Sequence, residues 1–172
     1  MHLAIFKGAE WKKVFSHDTS GGVFANLEEA KEKNIEDEDS LLYSILFKLE
    51  LFRSKYGPFH FKLCHPDLTE FSFPCNEWTQ TSNPVLDSKI LGFHPINITW
   101  NIRSDKKPFQ GLGLSSATNF NLIDDYPPNS NWWNSIGALQ NFPRGSSTIP
   151  GPKGILVKRK VLYVKYLPEK NL

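Results

Sequence analysis

The densest grouping of chemically able side chains is Leu122-Ile123-Asp124-Asp125-Tyr126-Pro127-Pro128-Asn129-Ser130-Asn131-Trp132-Trp133. Carboxylate and amide oxygens on a proline-stiffened loop are the donors a hard cation such as calcium takes, and they also accept from sugar hydroxyls. An indole beside them offers a flat apolar surface to the C–H face of a sugar ring. The expected ligand-binding residues are therefore Asp124, Asp125, Asn129, Asn131, Trp132 and Trp133, with Asp124 and Asp125 as candidate calcium ligands. Calcium is the one cofactor this pattern calls for. The competing reading makes the aspartates turn caps and gives the asparagines to loop backbone. It also sends one indole into the core, because successive strand side chains face opposite ways.

A second polar grouping is Cys75-Asn76-Glu77-Trp78-Thr79-Gln80-Thr81-Ser82-Asn83-Pro84. On a strand, Asn76, Trp78 and Gln80 share a face, which reads as a buried indole with a polar corner beside a disulfide. The two cysteines, Cys64 and Cys75, flank HPDLTEFSFP. A bridge there closes a short loop, stabilises by about 3 kcal/mol and points to an oxidising compartment; two buried free thiols are the alternative. A zinc site from His60, Cys64, His65 and Cys75 is a third reading, disfavoured because alternation separates His65 from the other two residues of its strand.

For catalysis the signs are poor. No GxSxG elbow, HExxH, P-loop or dinucleotide fingerprint is present, and Gly111-Leu112-Gly113 lacks the further glycine a phosphate loop needs. The adjacent pairs His17-Asp18 and Asp124-Asp125 do not make a divided acid–base site. An enzyme would have to join His17, His60 or His94 to carboxylates in a cleft, so the expectation is a non-enzyme.

Composition narrows the partners. With Lys+Arg 20 against Asp+Glu 18, a net charge of +2 does not argue for nucleic acid. Lys153, Lys158, Arg159, Lys160, Lys165 and Lys170 gather near the C-terminus. They read as a solvated edge that discourages sheet-to-sheet aggregation. A heparin-type or nucleic-acid footprint would want interleaved aromatics, which this run lacks. No apolar stretch of about eighteen residues is present, so no membrane span is expected. The sequon Asn97-Ile98-Thr99 makes Asn97 a candidate glycosylation site in a secreted protein. MHLAIFKGAEW shows no apolar run of signal-peptide length, which leaves a mature or excised domain of a secreted protein, the reading the cysteines and sequon favour, or a cytosolic protein.

Several elements must position these groups. Trp11–His17 alternates as an opening strand. Asn26 followed by Glu29 is a capping box that predicts a helix over about 27–33. Glu36–Asp39 would sit at the positive end of a long helix over Leu41–Tyr56, with Leu42, Ile45, Leu46, Leu49 and Phe52 on one face and Gly57-Pro58 as its stop. Strands are expected near 59–63, 89–93, 96–102, 120–123 and 155–166, the last with a bulge or turn near Lys158–Lys160. The fold class that follows is α+β: N-terminal helices packed on a mainly antiparallel β-sheet or sandwich, one domain over 1–167, and a fraying tail at 168–172.

Trp11-Lys-Lys-Val-Phe-Ser-His-Asp-Thr-Ser-Gly-Gly-Val-Phe24, Cys75 to Pro84, and Gly111-Leu-Gly-Leu-Ser-Ser116 open a series of familiar strings. Leu122–Asp125, Trp133-Asn-Ser-Ile-Gly137, Ile149-Pro-Gly-Pro152 and a closing Val161-Leu-Tyr-Val164 continue it. The chain resembles extracellular modules of marine invertebrates, loosely fibrinogen-like or lectin-like, although the second disulfide and calcium loop of true fibrinogen-like domains are not visible. The resemblance implies extracellular recognition. The expected function is thus non-catalytic binding of carbohydrate or glycosylated surfaces, calcium-assisted, with glycans or glycoproteins as partners and oligomers supplying avidity. The alternatives are an adhesive matrix or assembly protein, and a pigment or small-molecule binder that uses the 13 Phe and 5 Trp as a pocket.

Overall fold

The computed structural model describes residues 10–22, 24–53, 57–87, 89–101, 108–113, 120–121 and 157–167. Its main body is a six-stranded antiparallel sheet ordered β2-β1-β8-β3-β4-β5. In chain order these strands are β1 (Glu10–Asp18), β2 (Leu42–Ser44), β3 (Phe59–Cys64), β4 (Cys75–Gln80), β5 (His94–Ile98) and β8 (Arg159–Tyr166). Two short strands, β6 (Leu112–Gly113) and β7 (Phe120–Asn121), pair in parallel beside it. The last long strand lies at the sheet's centre, between β1 and β3, so it joins the N-terminal hairpin to the middle of the chain.

The expected layer of N-terminal helices is not formed. Helix α1 (Leu27–Lys31) is a single short turn, capped as the capping box predicts: Asn26 Oδ1 accepts from the Glu29 N–H at 2.8 Å. The predicted long helix over 41–56 is replaced by β2 and a 3-10 helix, Leu46–Phe52. The reason is physical. Tyr43 and Ser44 complete hydrogen-bonded pairing on β1, and the Ile45 N–H donates to Val14 O at 2.9 Å, satisfying an edge that a helix would leave bare. The apolar spacing 46, 49, 52 fits three residues per turn as well as 3.6, so one sequence pattern serves both helix types. Leu46 and Leu49 are fully buried, whereas Leu51 is 76% exposed.

The acidic run likewise has a different task from the one expected. Glu38 takes the Lys12 ammonium at 2.9 Å and its backbone carbonyl takes Lys13, so the 38–39 turn is held beside β1 by two lysines and does not start a helix. The bulge or turn expected near Lys158–Lys160 is not seen, since Arg159 and Lys160 pair in regular register with Asp18 and His17; the register slip is in β1, between Lys13 and Phe15, opposite Tyr163 and Leu162. Residues 89–93, expected as a strand, form none.

One face of the sheet carries the core. Phe15, Phe59, Phe61, Leu63, Trp78, Leu162 and Val164 interlock there with Phe24, Leu46, Leu49 and Phe109. The polar corner predicted around Trp78 is part of it. The Trp78 indole N–H and the Leu112 N–H both donate to Gln80 Oε1, at 2.8 and 3.0 Å, and Gln80 Nε2 donates to the carbonyls of Ser82 and Leu112. This ties β6 to β4. Gly111 makes the approach possible: its φ is +97°, and a Cβ there would come within 2.6 Å of Gln80 Oε1. Among the described residues no helix is long and apolar enough to cross a membrane.

Candidate functional site

Asp124, Asp125, Asn129, Asn131, Trp132 and Trp133 lie outside the described residues, as do the tail 168–172 and Lys153. What the structure does assemble is the face of the sheet opposite the core. Strand alternation lifts Trp11 and Lys13 from β1, Tyr163 and Lys165 from β8, His60 and Lys62 from β3, and Glu77 and Thr79 from β4 to that side. The register sets them in two rows. Trp11 lies opposite Lys165 and His60 opposite Thr79; Lys13 lies opposite Tyr163, Tyr163 opposite Lys62, Lys62 opposite Glu77, and Glu77 opposite Asn97. Neighbouring strands are about 4.8 Å apart, so each row is a line of closely set side chains.

These groups contact one another. The Lys62 ammonium stands 4.3 Å from the Trp11 ring centroid and 5.2 Å from Tyr163; Lys165 reaches the same indole at 5.6 Å. His60 meets Trp11 edge-on at 5.1 Å and engages Glu77 through Nε2 at 2.7 Å. All are partly buried and keep part of the side chain accessible. Partial burial lowers the pKa of Lys62, Glu77 acts against that, and the neighbouring Lys165 charge adds to it. Burial raises the pKa of the Tyr163 phenol, which therefore stays a neutral donor at physiological pH.

Chemically, the face can stack an aromatic or C–H-rich surface on Trp11, donate from two ammoniums and a phenol, and accept at Glu77. No hydroxyl or thiol is hydrogen-bonded to His60 among the described residues. His17 lies on the core side, its Nε2 against Gly22 O at 2.7 Å, so His17 and His60 are separated by the sheet itself. His94 stands exposed on β5. No group of three metal-ligating residues occurs among the described residues.

Cys64 and Cys75 are disulfide-bonded directly across β3 and β4, so their sulfurs are unavailable to zinc. Asn97 is exposed on β5, with the sequon's Thr99 hydroxyl donating to Phe73 O at 2.7 Å. The basic run near the C-terminus splits by alternation: Lys165 joins the outer face, while Lys160 is fully buried opposite His17 and burial drives its pKa well down. Sequence reasoning missed the outer face because its aromatics and lysines interleave across three strands and never within one run. The one signal available was Trp11-Lys12-Lys13, an indole and a lysine two apart on a predicted strand.

Comparison of the chain with known protein families, curated proteins and solved structures found no match.

Proposed function

We propose that this chain is a non-catalytic recognition module of the extracellular space that binds carbohydrate on the outer face of its sheet. The observation that carries this reading is the Trp11 indole ringed by Lys62, Lys165 and His60, with Tyr163 and Glu77 adjoining as hydrogen-bonding groups. An aromatic plane with polar groups at its rim is what a sugar ring requires: C–H surface on one side, hydroxyls around the edge. The disulfide and the exposed sequon asparagine support an oxidising, glycosylating compartment. Asp124, Asp125, Asn129, Asn131, Trp132 and Trp133 are retained as a second contact, with calcium at the aspartates, on their residue types alone.

On an array of neutral and acidic glycans, the wild-type chain is expected to give signal, and Trp11→Ala to weaken it about tenfold, the value of one lost aromatic stack. The unfolding midpoint should move little. Undiminished binding by Trp11→Ala would remove the face from the account.

A second reading, assembly into multimers, is favoured by one feature. Among the described residues strand β5 is the end strand of the sheet, with Ile96 52% exposed, next to a groove of about 340 Å³ lined by Phe93, Pro95, Ile98 and Phe109. Concentration-dependent mass by light scattering, with no glycan signal, would favour it. The pigment reading has less support, because Phe59, Phe61, Trp78, Phe93 and Phe109 pack on each other within the core.

A further inference from the structure

The charge on the outer face points to a narrower ligand class. Lys62 and Lys165 both stand against the Trp11 ring, and neither forms an ion pair among the described residues. Lys13 adds a third ammonium on the next row, shared with the Glu38 carbonyl and Asp39; Arg159, further along β8, lies opposite Asp18 and its charge acts on that carboxylate. The carboxylate within the rows, Glu77, is taken by His60. Glu38 and Asp39 lie at the rim and bind lysines of β1. Two partly buried ammoniums around one indole, with Lys13 on the next row and Glu77 as the carboxylate set among them, leave the rows with an excess of positive charge. Each is a point-charge donor without the fork geometry that selects a planar carboxylate.

We propose that the ligand of this face is a sulfated polysaccharide, with sulfate groups at Lys62 and Lys165 and a sugar ring on Trp11. This rests on the carbohydrate reading and specifies its substrate class. Charge complementarity supplies the argument: a polyanion neutralises both ammoniums at once and releases its own counterions, so affinity falls steeply with salt. A neutral glycan leaves the lysines as they are, and a nucleic acid, whose bases also stack on an indole, is the competitor that the oligonucleotide arm of the test decides.

The test uses the full chain with heparin, with heparin from which sulfates have been chemically removed, and with a single-stranded oligonucleotide, at fixed salt. Heparin is expected to bind at least about tenfold more tightly than its desulfated form, the scale of removing more than one charge contact. Lys62→Gln with Lys165→Gln should lose about that factor. Lys31→Gln with Lys48→Gln, which removes the same charge away from the face, should bind as wild type. Raising salt should weaken wild-type binding more than it weakens the Lys62/Lys165 variant, a readout that needs only folded protein.

Equal affinity for heparin and its desulfated form overturns the sulfate assignment while leaving the carbohydrate reading in place. Loss in the Lys31/Lys48 control equal to that in the Lys62/Lys165 variant makes the effect one of net charge and overturns the site. Tighter binding of the oligonucleotide than of heparin overturns the ligand class. No binding to any glycan ends both proposals.

Discussion

Gln80 does more for this molecule than any other single polar side chain described. Its amide satisfies the Trp78 indole, both backbone groups of Leu112 and the Ser82 carbonyl, all buried. Such a hub costs little while complete and much when opened, because each stranded partner loses both water and protein. Gln80→Ala is therefore expected to destabilise by about 3 kcal/mol, read as a shift in the urea midpoint at unchanged slope. A loss under about 1 kcal/mol would mean that the strand is held to β6 by packing alone. The buried placement of Asn76, Trp78 and Gln80 was legible from alternation in one short run. Their partner Leu112 was not, since nothing local to residues 75–84 encodes a contact 32 residues away.

Among elements, the contrast between β4 and residues 41–56 shows where sequence patterning suffices. Period-two alternation in FHFKLC and CNEWTQ has one structural solution, and both became strands. The apolar run LLYSILFKLELF has two, and an unfilled hydrogen-bonding edge on β1 decided between them. A helix expectation built on spacing alone cannot see that edge. The disulfide belongs to this scale as well: it clamps β3 to β4 at the end of the ladder, where the chain leaves for the 65–74 loop. Cys64→Ser with Cys75→Ser should cost about 3 kcal/mol by freeing that loop in the unfolded state. Calorimetry under non-reducing conditions would read it. An unchanged midpoint would show that the β3–β4 pairing needs no clamp.

Taken whole, the molecule has two unlike sheet faces. One buries Phe15, Phe59, Phe61, Trp78 and Leu162 against the rest of the chain. The other presents Trp11, His60, Lys62, Tyr163 and Lys165 in two rows, with Asn97 at the rim. The strands that carry those rows could be named from the sequence, but not which strands adjoin. The central place of β8 brings Lys165 to Trp11, across more than 150 residues of chain, and makes a site of scattered residues. The claim that this face grips the ligand is tested most directly by nuclear magnetic resonance titration of the labelled chain with a heparin oligosaccharide. The account predicts progressive shifts of the Trp11 indole N–H and of amides around Trp11, His60, Lys62, Tyr163 and Lys165, while the Trp78 indole N–H stays still. Shifts that leave those five residues unmoved and gather on the β5 groove or elsewhere would contradict it.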